Sequence, residues 1–191
     1  MSEDGRPLRL FFALTADGVQ EPLAEVFSYL NKYPRVLKAV APQNYHITLK
    51  FLGETSLDTY EKLRDDFTRL SLNIGPIGFK LQGLGGFPGE ARTRIIWCGL
   101  ITDPAGMRTI YESIENVSEK HGFKKEDKEF TPHFTLARTR RDRKLPNEII
   151  RYLSENKNKL YGESHFRSIV LFKSELETQG AKYTALEEIR L

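Results

Sequence analysis

Two short stretches, "NYHITLKFLG" (44–53) and "TPHFTLARTR" (131–140), each set a histidine two positions before a threonine inside an apolar run. His46 and His133 stand 87 positions apart in a chain with four histidines, and Thr48 and Thr135 repeat that spacing. An imidazole titrates near neutral pH, and a threonine hydroxyl can hold an anionic oxygen. Side chains on a strand alternate faces with period two. His46 and Thr48 therefore share one face while Ile47 and Leu49 share the other, and His133 and Thr135 likewise oppose Phe134 and Leu136. Two such pairs around one point suit displacement at phosphorus, where a base serves the attacking oxygen and an acid the leaving one.

The elements that must position these residues recur too. "LRLFFAL" (8–14) reads as a buried strand. A helix follows with Pro22 near its first turn and Leu23, Val26, Phe27 and Leu30 at helical spacing. "YHITLKFLG" is a strand closed by Gly53, and Thr55 with Asp58 signals a second helix that carries Tyr60, Leu63, Phe67 and Leu70. "IGFKLQGLGGFPGE" gives a strand and then a glycine-rich turn bordering the cleft. The order then repeats. "RIIWCGL" (94–100) is a strand, Asp103-Pro104 opens a helix that ends at Gly122, "FTPHFTLAR" is a strand, "PNEIIRYLSEN" a helix and "FRSIVLFKSEL" a strand. Phe79 and Phe166 keep the spacing of 87, as do Leu10 and Trp97.

One long period implies a duplicated unit, and two copies are too few for a solenoid. The expected fold is α+β, with two similar αβ lobes related by a pseudo-twofold axis, antiparallel sheets facing a central cleft and helices outside. The whole of 1–191 is read as one bilobal domain, lobe 1 about 1–90 and lobe 2 about 91–191, and the repeat leaves strand exchange between the lobes open. The histidines recur because the lobe recurs, and both copies can converge on one site.

Composition sets bounds. With 39% hydrophobic and 29% charged residues, the chain is globular in type rather than disordered, collagenous or disulfide-built. Its N-terminus is neither a signal peptide nor a membrane span. Cys98 is the only cysteine, which excludes an intramolecular disulfide and a cysteine cluster for zinc. A cytoplasmic protein with no membrane attachment is expected. The net charge of +3 is mild, but "ARTRRDRK" (137–144) holds five basic residues against one acidic and points to a polyanion.

"HITLKFLG" and "HFTLAR" resemble the paired H-x-T-x motifs of the two-histidine phosphoesterase superfamily. "GGFPGEARTRIIWCGL" (85–100) resembles the segment joining the halves in its RNA 2',3'-cyclic phosphodiesterase branch, formerly called 2'-5' RNA ligases. The similarity runs from about Leu8 to Leu186. It implies hydrolysis of an RNA-terminal 2',3'-cyclic phosphate to a 2'-phosphate, with no cofactor and no metal. It also implies that His46 is the proton donor to the leaving oxygen and His133 the proton acceptor from water. Thr48, Thr135 and Arg138 would hold the phosphate. The expected partner is an RNA end carrying a 2',3'-cyclic phosphate, met by a monomer.

Plainer readings stand beside these. Thr48 and Thr135 are strand formers by type. His121, at a helix C-terminus, and His165 are expected to be structural. Phe11 sits in an apolar strand and is a packing residue first, and a stacking surface for RNA second. Arg140 and Arg141 lie in a solvated loop that their nearness to His133 turns into candidate RNA contacts. No histidine pair has zinc spacing, so no metal is expected. A non-catalytic module gripping RNA ends is the alternative function, and 2'-5' ligation is the reverse of the same chemistry.

Overall fold

The structure, a computed structural model, describes residues 6–72, 74–89, 92–127, 129–177 and 180–191. β1 (Leu8–Ala16) explains its own apolar sequence: Leu10, Phe11, Phe12, Ala13 and Leu14 are each at most 1% exposed, because neighbours cover both faces. It lies antiparallel between β3 (Ile47–Thr55) and the C-terminal part of β7 (Leu160–Glu177). β8 (Gly180–Arg190) pairs with β7 on the outside. The first sheet thus runs β3-β1-β7-β8. The second runs β2-β6-β5-β4-β7, built from β2 (Leu37–Ala39), β6 (His133–Thr139), β5 (Ile95–Thr102), β4 (Gly78–Phe87) and the N-terminal part of β7. β7 passes through both, joining them into one antiparallel path.

Each sequence half keeps its first strand and its histidine strand in its own sheet and gives away its third. β4, from the first half, pairs with β5, whereas β7, from the second, completes the sheet of β1. Where these strands cross, the Phe79 and Phe166 rings meet, tilted, at 4.4 Å, and the Phe166 amide donates to the Ile77 carbonyl at 2.9 Å. The helices cross over as well. α2 (Leu57–Thr68) and α3 (Pro104–Lys120) pack together behind the first sheet, α3 against β3, and the Phe12 and Phe67 rings meet at 4.9 Å. α1 (Ala24–Leu30) lies by β2 and α4 (Asn147–Glu155) by β4, joined by stacking of Tyr29 on Tyr152 at 3.8 Å.

Several local expectations change. Ser56, not Thr55, caps α2 and accepts the Thr59 amide at 3.2 Å, while Thr55 closes β3 and is buried. Gly53 does not end β3. It takes a left-handed φ of 71° at an irregularity where Leu52 is extra, and the strand continues. The first part of the glycine-rich stretch is strand, since β4 runs through it to Phe87, and the turn begins only at Pro88, with the Arg94 amide donating to the Phe87 carbonyl at 2.6 Å. Its glycines are packing requirements: a Cβ on Gly85 would strike the Trp97 ring lying across it, and one on Gly86 the side chain of Thr93. β2 and β8 were not foreseen. Asp103 caps α3 as expected, accepting the Ala105 and Gly106 amides at 3.0 Å.

Candidate active site

The faces of β3 and β6 that do not meet helices carry the paired motifs. β3 itself begins at Ile47, with His46 just before it, after the 3-10 turn Pro42–Asn44. Nδ1 of His46 donates to the Asn44 carbonyl at 2.8 Å. Nδ1 of His133 donates to the Thr131 carbonyl at 2.7 Å. A carbonyl can only accept, so both rings carry the Nδ1 proton and turn Nε2 to the cleft. At His46, Nε2 lies 3.2 Å from Thr48 Oγ1, so the neutral ring accepts that hydroxyl.

The two rings share one electrostatic environment. Burial lowers the His46 pKa to about 4; the bond to Asn44 opposes this, and the nearby positive charges of Arg138 and His133 add to it. His133 is lowered as well, by burial first, against its bond to Thr131 and with Arg138 again contributing. Arg138 thus stands close enough to act on both imidazoles across the two sheets.

Simple alternation would put Arg138 on the wrong face, because it lies an odd number of residues after His133. A β-bulge corrects this. Thr135 pairs with Trp97 and Ala137 with Ile96, which leaves Leu136 extra on β6 and returns Arg138 to the cleft face opposite Ile95. The first half has the same device: Thr48 pairs with Ala13 and Lys50 with Phe12, so Leu49 is extra. Lys50 is turned inward by it, and Phe51 outward. Phe51 is thereby the counterpart of Arg138, 87 positions earlier, and is 54% exposed.

Aromatic rings wall both histidines. Around His46 stand Phe11 at 5.1 Å, Tyr183 edge-on at 5.3 Å and Phe172 at 6.3 Å. Around His133 stand Phe87 edge-on at 5.0 Å and Trp97 at 6.4 Å. Phe11 is only 1% exposed, so it has no face to offer a base, and the expected RNA contact there is corrected to a wall of the His46 pocket. Phe51, against Phe11 at 5.7 Å, is 54% exposed, more than the half-buried Phe172 and Tyr183 beside it. Sequence reasoning missed Phe51 and Tyr183; the signal for Phe51 was its equivalence to Arg138. Arg140 and Arg141 are exposed just beyond β6, where Arg140 Nε donates to the Pro34 carbonyl at 2.7 Å and the Arg143 amide closes a turn to the Arg140 carbonyl at 3.2 Å.

Behind the site, inward-turned Lys50 forms a buried ion pair with Glu115 of α3 at 2.8 Å. Lys50 also donates to the Lys124 carbonyl, and Glu115 accepts the Glu126 amide at 3.3 Å. This anchors the segment that leads to Thr131 and His133. His121 Nε2 meets Asp66 at 3.2 Å, and exposed His165 accepts from Arg167, so neither joins the site. Among the described residues, no three His, Cys, Asp or Glu side chains gather into a metal-ligating set.

Residues 21–177 match the model of the 2'-5' RNA ligase superfamily. The chain is 34% identical over 154 residues to an Aeropyrum pernix protein named RNA 2',3'-cyclic phosphodiesterase, covering 81% of this chain and 86% of the relative. A Methanocaldococcus jannaschii protein of the same name is 33% identical over 185 residues, covering 95% and 99%. Among solved structures, a Thermus thermophilus protein superposes with a TM-score of 0.75 at 29% identity, covering 96% and 98%. Escherichia coli LigT complexed with 3'-AMP gives 0.74 at 23% identity, covering 97% and 98%, a likeness of fold.

Proposed function

The chain belongs to the 2'-5' RNA ligase superfamily, and we propose that it hydrolyses the 2',3'-cyclic phosphate at RNA ends to a 2'-phosphomonoester. The observation that carries this is the pairing of His46 and His133 at one site, each with its tautomer fixed by a backbone carbonyl. A water oxygen attacks phosphorus and loses its proton to one imidazole. The bond from phosphorus to O3' breaks, and O3' takes a proton from the other. Thr48 and Thr135 hold the nonbridging oxygens, and Arg138 neutralises charge building on them. Binding alone would need cations and donors, whereas two matched imidazoles favour turnover over a mere RNA-end grip. Ligation through a 2'-5' bond is the same chemistry reversed, and dilute ends in water favour hydrolysis.

The family resemblance makes His46 the acid and His133 the base. That assignment requires bound substrate, because a ring with a pKa of about 4 holds almost no proton at neutral pH. The negative phosphodiester supplies what is missing by raising the His46 pKa as it binds, so substrate binding takes up a proton. A second reading, favoured by the lowered pKa of the enclosed His46, exchanges the two roles.

Phe51 offers its exposed ring to the terminal base, and Arg140 and Arg141 follow β6 outward as contacts for the RNA backbone. Each sequence half contributes one histidine, so a monomer completes the site. A single buried Cys98 with no disulfide fits a reducing, cytoplasmic setting. No helix among the described residues is long and apolar enough to cross a membrane.

The direct test is product analysis on an oligonucleotide ending in a 2',3'-cyclic phosphate, with a chelator present. A 2'-phosphate end supports the reading. Tight binding without turnover would replace it with the non-catalytic module.

A further inference from the structure

Lys38 and Arg138 lie directly opposite one another across β2 and β6, the register pairing their Cα positions. Both are exposed, and neither forms an ion pair among the described residues. Like charges directly opposite on adjacent strands destabilise the sheet. Cross-strand partners share a face, and the bulge at Leu136 puts Arg138 on the cleft face, so Lys38 stands there too. Leu37, next to Lys38, is buried, as that alternation requires.

The cation pair has no counterpart in the other half. Phe51 occupies the position equivalent to Arg138, and β3 is the terminal strand of its sheet, whereas β6 carries β2 beyond it. The duplication is therefore broken at the residues that can distinguish an aromatic base from a phosphate. Both histidines have aromatic walls, but where Phe51 stands on the His46 side, the His133 side carries Arg138 with Lys38 beyond it. Lys38 lies one strand, ~4.8 Å, farther from the reaction centre than Arg138, which already acts on both histidines.

We propose that Lys38, with Arg138 beside it, binds the internucleotide phosphodiester immediately 5' of the terminal cyclic phosphate. Resting on the cyclic phosphodiesterase reading, this assigns the enzyme a subsite that a mononucleotide cannot fill. It also explains the repulsive pair, since an anion between the two cations replaces their repulsion with two charge-assisted bonds. A lysine that served only to block sheet extension at an edge strand would have no bearing on substrate.

The test uses two dinucleotides ending in a 2',3'-cyclic phosphate that differ only in their linkage, a phosphodiester or an uncharged methylphosphonate, compared on the full chain and on Lys38→Gln and Lys38→Arg. The wild type should show a lower KM for the charged linkage. Lys38→Gln should raise that KM about threefold to tenfold more than the KM for the methylphosphonate, with kcat changing little, and Lys38→Arg should restore the preference. Equal changes on the two dinucleotides would overturn the proposal, because Lys38 would then not sense the linkage charge. If the wild type turns over neither compound, nor a mononucleotide 2',3'-cyclic phosphate, the catalytic reading fails instead. The same comparison made as equilibrium binding then still decides the role of Lys38.

Discussion

His46 and His133, one from each copy of the repeat, bond their Nδ1 atoms to the carbonyl two residues before them, at 2.8 and 2.7 Å. The duplication thus preserves a tautomer as well as a residue type. Their surroundings are not preserved, and the enclosed His46 is the ring driven to about 4.

The first prediction concerns pH. The folded protein disfavours protonated His46, while an unfolded chain binds that proton near pH 6.5, so the unfolded state takes up more protons between about pH 6.5 and 4. Stability should therefore fall on acidification through this window, by at most ~3 kcal/mol from this group. Denaturant unfolding at several pH values should show a shallower loss in His46→Gln. An identical slope in variant and wild type would mean that His46 titrates normally.

Arg138 should tune both rings. Arg138→Gln removes a cation that lowers each pKa, so both histidines should titrate higher by NMR, and turnover should drop roughly 10²-fold, as for other lost transition-state donors. Unchanged histidine titrations would place the guanidinium outside the site.

Phe51→Ala should weaken binding of RNA ends by roughly 1–3 kcal/mol, the usual worth of one base–aromatic stack. Because the ring is 54% exposed, thermal stability should change little. A large loss of Tm with unaltered affinity would make Phe51 a packing residue.

The buried pair behind the site should behave as a unit. Lys50→Met leaves Glu115 charged, buried and unpaired, at a cost of about 3–5 kcal/mol. Adding Glu115→Leu should recover much of that stability in denaturant unfolding. Additive losses in the double variant would contradict mutual compensation.

The repeat, the paired motifs and the helix-forming segments were legible in the sequence because they rest on local period and spacing. What was hidden depends on contacts between distant segments. The glycines of β4 resembled a turn because glycine is poor in strands, and only the Trp97 ring across them shows why they are there. β2 is three residues long and exists by pairing with β6. Arg138 reached the correct face through a bulge that period-two reading cannot anticipate, and Phe51 was overlooked for the same reason. Exchange of β4 and β7 between the sheets is invisible to a repeat that registers only their equivalence.

The most direct measurement is the turnover of His46→Ala and His133→Ala on a 2',3'-cyclic phosphate and on a phosphodiester with an activated aryl leaving group. A general acid matters in proportion to how poor the leaving group is, whereas a base is needed whichever group departs. Both variants should lose roughly 10²- to 10⁴-fold on the cyclic phosphate, and one alone, His46→Ala under the favoured assignment, should recover on the aryl ester. Recovery of His133→Ala instead would exchange the roles. Wild-type turnover of the cyclic phosphate by either variant would contradict the two-histidine mechanism itself.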